Sequence, residues 1–220
     1  MERIIEVPLF PLQLVLFPTA VVPLHIFERR YRLMIARCLE EKIPFGIVLM
    51  RPESRHLQEV PYSVGTLAEI QQSERLEDGR YNLIAIGTER FRILQLKHQQ
   101  PYLEGLVETY RDRQEPAGLV RPYAERALDL FSSYLEILLE THNRQEIKEH
   151  LPGDPEELSY LIAYLLDMQD EQKQHLLELT STRQRLAEEN DILKREVPFA
   201  QQVLRRNAHL QTHPDRSFLN

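Results

Sequence analysis

PLFPLQLVLFPTAVVPLHIFERRYRLMIARC, residues 8–38, is the stretch from which the fold is read. Pro8, Pro11, Pro18 and Pro23 interrupt its apolar runs. Proline has no amide hydrogen and keeps the residue before it out of the helical region, so these runs read as short extended segments. After Pro23 the period changes. Tyr31, Met34, Ile35, Cys38 and Leu39 recur at helical spacing, which sets one apolar stripe on a helix whose other side carries Arg29, Arg30, Arg37 and Glu40. Extended segments feed an amphipathic helix, and no catalytic motif lies among them.

Around this stretch, residues 4 to about 110 are strand-like. Ile4–Val7, Leu14–Phe17 and Phe45–Met50 are apolar, branched and aromatic runs that predict buried strands. Between Met50 and Val64 two prolines and no period predict a long surface loop. In VGTLAEIQQSERLEDGRYNLIAIGTERFRILQL, Asp78-Gly79 supplies the positive backbone angles of a tight turn, so the flanking arms pair as an antiparallel hairpin. Tyr81, Leu83 and Ala85 alternate with Ile84 and Ile86, which predicts a central or barrel strand covered on both faces. Gly87 permits a bend, and Leu103–Tyr110 adds a last strand.

At RDRQEPAG, residues 111–118, apolar residues nearly vanish, which places a boundary between a β domain over 1–113 and a helical domain over 114–220. Tyr123, Ala127, Leu130, Phe131, Tyr134 and Leu138 mark one helix to about His150. Gly153 ends it, Asp154 caps the next and Pro155 sits in its first turn. A long helical stretch follows from Gln169 to Val197, with a break near Thr180–Thr182, and the polar tail from Asn207 frays.

Acidic residues outnumber basic ones 34 to 27, a net charge of −7, and the pI is about 5.7. That sign is wrong for binding DNA or RNA by phosphate neutralisation. A single cysteine makes no internal disulfide and MERIIEV has no signal-peptide pattern, so the expected location is the cytoplasm. No run approaches the roughly 20 apolar residues of a membrane helix, and no membrane partner is expected.

VPLFPLQLVLFPTAVVPLHIFERRYRLMI, VGTLAEI and LEDGRYNLIAIGTERFRI resemble, in that order, the amino-terminal substrate-recognition domain of Lon proteases in its stand-alone form. DPEELSYLIAYLLDMQDEQKQHLLELTSTRQRL resembles the helical segment that follows the sheet in Lon, so the likeness covers about residues 4–197. It implies an α+β chain, a PUA-like, mostly antiparallel β pseudo-barrel with one helix followed by an α-helical bundle. It also implies a role in binding proteins or peptides, with recruitment of an ATPase or protease partner as an extension of that role. The same module occurs in cereblon, a ubiquitin-ligase substrate receptor. Thr19 stands where the family usually has Gly after Phe-Pro, so a tight turn there needs a different backbone geometry.

Catalysis finds no support. No Gly-Lys dipeptide of a phosphate-binding loop occurs, so ATP hydrolysis is not expected. Lon proteolysis, by the resemblance, belongs to a separate carboxy-terminal domain. Neither a cofactor nor a metal is expected. Cys38 with His25 has the chemistry of a nucleophile and base, but Cys38 lies on the apolar stripe and reads as a small core residue. His209 and His213 have metal-sharing spacing without a third ligand, and Glu40-Glu41 and Glu188-Glu189 diverge as solvated pairs. Two binding readings remain. For a protein partner, Leu33 lies opposite the buried stripe among Arg29, Arg30 and Arg37, a face for an acidic-apolar peptide. The alternative is an RNA-binding PUA-like module using Arg80, Arg90 and Arg92, against which stand the net acidity and the expected pairing of those arginines with Glu77 or Glu89. Leu179, Leu186 and Leu193 recur every seven residues, a heptad that permits a homodimer.

Overall fold

A computed structural model describes residues 2–52, 60–141 and 143–212. The elements are β1 Ile4–Leu12, β2 Val21–Ile26, α1 Arg29–Glu41, β3 Phe45–Met50, β4 Pro61–Arg75, β5 Tyr81–Lys97, β6 Leu103–Thr109, α2 Ala117–Leu138, α3 Arg144–His150, α4 Pro155–Leu165, α5 Asp170–Glu178 and α6 Thr182–Thr212. Two compact units result, Met1–Gln114 with Tyr160–Thr180, and Glu115–Ser159 with Ser181–Asn220. A single cut after residue 113 assigns Tyr160–Thr180 to the helices, whereas its contacts are with the sheet.

In the first unit six strands run in the order β2-β5-β4-β3-β1-β6, and a β5–β6 pairing closes the ring. Among the described strands only β1 and β3 pair in parallel. The prolines of β1 are tolerated because of where they fall. Strand β1 pairs with β6 over Ile4–Leu9 and with β3 over Leu9–Leu12, so Pro8 and Pro11 each lie where one side has no neighbour to supply with a donor. Leu14–Phe17 is not a strand. It is irregular chain, buried from Val15 to Phe17, the Leu16 carbonyl accepting from Thr66 Oγ1 at 2.6 Å. It approaches β5 so closely that a Cβ on Gly87 would lie 2.3 Å from the Phe17 carbonyl oxygen. Gly87 therefore serves close approach. The adjacent bend is a bulge, since Thr66 and Ala68 oppose Arg90 and Gly87, leaving one β4 residue facing two on β5.

Residues Phe17–Ala20 form the turn that launches β2. Ala20 N–H donates to the Phe17 carbonyl at 3.2 Å, Pro18 takes the second position, and Thr19 takes a φ of 66°. This is the turn in which glycine ordinarily holds the third position. Thr19 adopts the left-handed conformation in glycine's place, so the backbone is not rebuilt around it as the sequence had suggested. The β4–β5 hairpin closes with Leu76 N–H on the Arg80 carbonyl at 2.8 Å and Gly79 N–H on the Leu76 carbonyl at 2.9 Å. Only Gly79 in that loop has positive φ, 81°. The loop is thus a turn of Glu77, Asp78 and Gly79 with the glycine left-handed, one residue longer than the tightest hairpin.

Alternate residues of the strands serve two cores. Leu9, Val48, Leu67, Phe91 and Val107 fill the inside of the ring, and Phe10, Ile47, Leu49 and Ala68 face a larger cluster outside it. Tyr31, Met34, Ile35 and Cys38 of α1 join that larger cluster, as their spacing predicts. Tyr160, Ala163, Leu176 and Leu177 join it from α4 and α5. Arg90, 2% exposed, secures this helical segment: Nη1 donates to the carbonyls of Leu177 at 2.8 Å and Leu179 at 2.5 Å, and Nη2 to Asp112. Strand β5 has neighbours on both sides but is not covered on both faces, because Ile84 is 37% exposed.

The second unit is helical. The helix expected to reach His150 instead stops at Leu138, where Glu140 turns left-handed at φ 49°, and α3 restarts with the Asn143 side chain accepting from Glu146 N–H. Asp154 caps α4, its Oδ1 accepting from Glu156 and Glu157 N–H at 3.0 Å each. Helices α2 and α6 run parallel: Ser181 Oγ donates to Glu115 at 3.0 Å and Asn190 Nδ2 to the Tyr123 carbonyl at 3.0 Å, a nearly constant offset in sequence. Helix α6 passes through Pro198 to Thr212 rather than ending before it. The leucine heptad does not survive as a seam. Leu179 lies beyond α5, while Leu186 and Leu193 are buried within their own chain.

Candidate functional site

Strand β2 and its neighbour place apolar side chains outside. Antiparallel pairing sets Val21 against Ile86, Pro23 against Ile84 and His25 against Asn82. Val21 is 49% exposed, and Phe27, just past the strand, is 62% exposed. A polar frame borders them. His25 Nδ1 meets Asn82 Oδ1 at 2.8 Å, Arg80 Nη1 meets His25 Nε2 at 3.3 Å, and Arg80 Nε donates to Asp78 Oδ2 at 2.6 Å. Phe27 stacks on the His25 ring, centroids 6.2 Å apart. Arg32 of α1 donates to the Asp78 carbonyl at 3.0 Å, tying the first turns of the helix to the hairpin tip.

Of the residues singled out from sequence, Leu33 is 50% exposed and Arg29 is exposed beside it on α1. Arg30 is half-buried, its Nε donating to Glu28 at 3.1 Å. Arg37 is engaged as a strut. Its Nη1 donates to Glu104 at 2.6 Å and to the Tyr102 hydroxyl at 3.3 Å, while Nε holds Glu41. These bonds push the guanidinium pKa further up, the Tyr102 bond contributing most. Val21, Phe27 and Ile84 were not singled out. Their signal was a strand apolar on both alternations, in a segment whose partner count the sequence does not state.

The other candidates separate. Cys38 is buried in the core and burial pushes its thiol up to about 12, whereas His25 lies outside with its ring engaged, so no nucleophile–base pair is assembled. Glu41 pairs with Arg37. Glu189 is not solvated: it is fully buried, neither carboxyl oxygen has a hydrogen-bond partner, and burial raises its pKa well above the ordinary value. The side chains of His209 and His213 lie outside the described residues. Among the described residues no group of three His, Cys, Asp or Glu could hold a metal ion, and no helix is long and apolar enough to cross a membrane. Arg80 pairs with Asp78 and Arg90 with Asp112, rather than with Glu77 or Glu89, and Arg92 lies over the Tyr110 ring at 5.3 Å. With Arg90 buried, the three arginines do not share one surface.

The fold is a closed, mostly antiparallel PUA-like barrel followed in the chain by a helical bundle, and each unit exposes large apolar side chains, Phe27 and Leu33 on the barrel unit and Leu138, Leu139 and Phe199 on the helical one. Comparison with known proteins agrees. The model of the ATP-dependent protease La (LON) substrate-binding domain matches residues 6–195, and the chain belongs to that family. The Lon protease of Anaeromyxobacter dehalogenans is 28% identical over 196 residues, covering 86% of this chain and 23% of that protein. The Lon protease of Bacillus thuringiensis is 26% identical, covering 93% and 27% respectively. The chain thus spans 23–27% of the length of these relatives. Among solved structures, a Lon N-terminal domain protein from Xanthomonas campestris superposes with a TM-score of 0.59 at 25% identity, over 84% of this chain and 96% of that one. The N-terminal domain of Mycobacterium avium complex Lon protease superposes with a TM-score of 0.67 at 21% identity, over 86% and 98%, a likeness of fold.

Proposed function

We propose that this chain is a recognition module that holds segments of protein clients, and that it neither hydrolyses ATP nor cleaves peptide bonds itself. The observation that carries this reading is that Val21, Phe27, Leu33 and Ile84 are among the large apolar side chains left exposed on the barrel unit, in a chain of the Lon substrate-binding family. Exposed apolar surface rimmed by polar groups is what a site for unfolded or partly unfolded polypeptide offers. Arg29 flanks Leu33 and favours clients whose apolar residues are followed by acidic ones; Arg30, paired with Glu28, and Arg37, held by Glu104, position the helix. By the same reading a client is handed to an ATPase or protease. The test is fluorescence anisotropy of a labelled, reduced and carboxymethylated protein titrated with the full chain. Phe27→Ser with Leu33→Asp weakens capture by roughly tenfold or more with an unchanged circular dichroism spectrum. Unchanged capture by the double variant refutes the assignment of this surface.

A further inference from the structure

Strand β2 stands at the end of the sheet order and, among the described residues, pairs with β5 alone. Along a strand, the N–H and C=O of one residue point to the same side, and successive residues alternate. The Ala20 carbonyl accepts from Gly87 N–H at 2.9 Å, so even-numbered residues address β5. The Val21 carbonyl accepts instead from the Tyr164 hydroxyl at 2.9 Å, so odd-numbered residues address the outer edge. That edge therefore presents the Pro23 carbonyl and both the N–H and the carbonyl of His25, and Tyr164 closes it at Val21.

The edge also lacks the charges that ordinarily guard such strands. From Val21 to Phe27 there is no charged residue. The charges that border it are matched among themselves, Glu28 with Arg30 and Asp78 with Arg80. A charged ligand strand would lose its hydration against a strand that offers no charged side chain of its own. An uncharged extended segment finds backbone groups to pair with and the side chains of Val21, Pro23 and Phe27 to cover. Electrostatic matching thus selects a neutral apolar occupant.

We infer that the outer edge of β2 takes an extended, uncharged apolar segment of a client polypeptide as an added strand. This rests on the client-binding reading and specifies its mode. The segment donates N–H groups to the Pro23 and His25 carbonyls and accepts from His25 N–H. Pro23 has no N–H to return, and Tyr164 occupies the next position, so the added strand is short.

The test uses the full chain and a short fluorescein-labelled peptide of alternating valine and threonine, beside its depsipeptide counterpart in which esters replace the backbone amides. The two share side chains, but only the first can donate backbone hydrogen bonds. Strand addition predicts saturable binding of the peptide, at least roughly tenfold weaker binding of the depsipeptide, and slowed hydrogen exchange of the His25 amide in the complex. Equal affinities, with His25 exchange unchanged, overturn strand addition and leave client binding through side chains standing. Capture of a carboxymethylated protein without binding of the peptide also overturns it. If neither probe binds, the client-binding reading fails with it.

Discussion

Replacing Thr19 by glycine tests the reading of the turn that launches β2. Thr19 is exposed and holds φ at 66°, in the region where an L residue meets its own carbonyl and a β-branched side chain is an outlier. That conformation costs an L residue roughly 1–2 kcal/mol, and glycine returns about 0.4–1 kcal/mol of the gain through the freedom it adds to the unfolded chain. The side chain makes no hydrogen bond among those found in the structure, so nothing offsets the relief. The expected net effect is a stabilisation of about 0.5–1 kcal/mol, a rise of roughly 1–4 °C in the melting of the barrel unit. Thermal unfolding of the full chain, followed by tyrosine fluorescence and by calorimetry, measures it. The two units can melt separately, so the shift belongs to the transition that also moves when a barrel core residue such as Phe91 is changed. A melting temperature equal to or below that of the wild type refutes the claim that Thr19 is held under strain.

The hairpin, the clamp and the buried acid give further expectations. Gly79→Val puts a branched residue at a φ of 81°, with its Cβ 3.2 Å from Arg32 Nη1, and destabilises by more than about 1 kcal/mol in urea unfolding; Gly79→Asn costs less, because asparagine tolerates that region. Arg90→Leu removes the buried guanidinium that pairs with Asp112 and donates to the carbonyls of Leu177 and Leu179; a loss of about 3–5 kcal/mol is expected, with faster hydrogen exchange across α5. Glu189 has its pKa raised in the folded state by burial, with Arg185 opposing the shift, so above the ordinary value of 4.5 the folded chain holds more protons than the unfolded one and stability falls as pH rises. Glu189→Gln removes that slope: its urea midpoint exceeds that of wild type at neutral pH and approaches it near pH 4.5, whereas parallel pH profiles for the two proteins contradict the burial of an acid.

What the sequence made legible was local. The α1 stripe was readable because Tyr31, Met34, Ile35 and Cys38 bury against one core at helical period, and β3 because Phe45–Met50 is a continuous apolar run that buries on both faces. The hairpin was readable because Asp78-Gly79 carries its turn in two residues, although the third turn residue, Glu77, depended on register. What stayed hidden was long-range. Tyr160–Thr180 has the pattern of any amphipathic helix, and its attachment to the sheet depends on Arg90 finding backbone carbonyls 87 and 89 residues away, which no side-chain pattern announces. Leu14–Phe17 is as apolar as a strand, yet it is buried as irregular chain because Thr66 and Gly87 engage its backbone. In the candidate site, Leu33 emerged as the residue opposite the stripe. The engagement of Arg37 by Glu104 and the open edge beside Val21 and Phe27 depended on which strands pair.

The most direct test of the central claim is a titration of the full chain with one globular protein in two forms, folded and reduced-carboxymethylated, followed by isothermal calorimetry. Client recognition through exposed apolar surface predicts saturable binding of the unfolded form, with a negative heat-capacity change from buried apolar area, and none of the folded form. Equal affinity for both forms, or no heat with either, contradicts it.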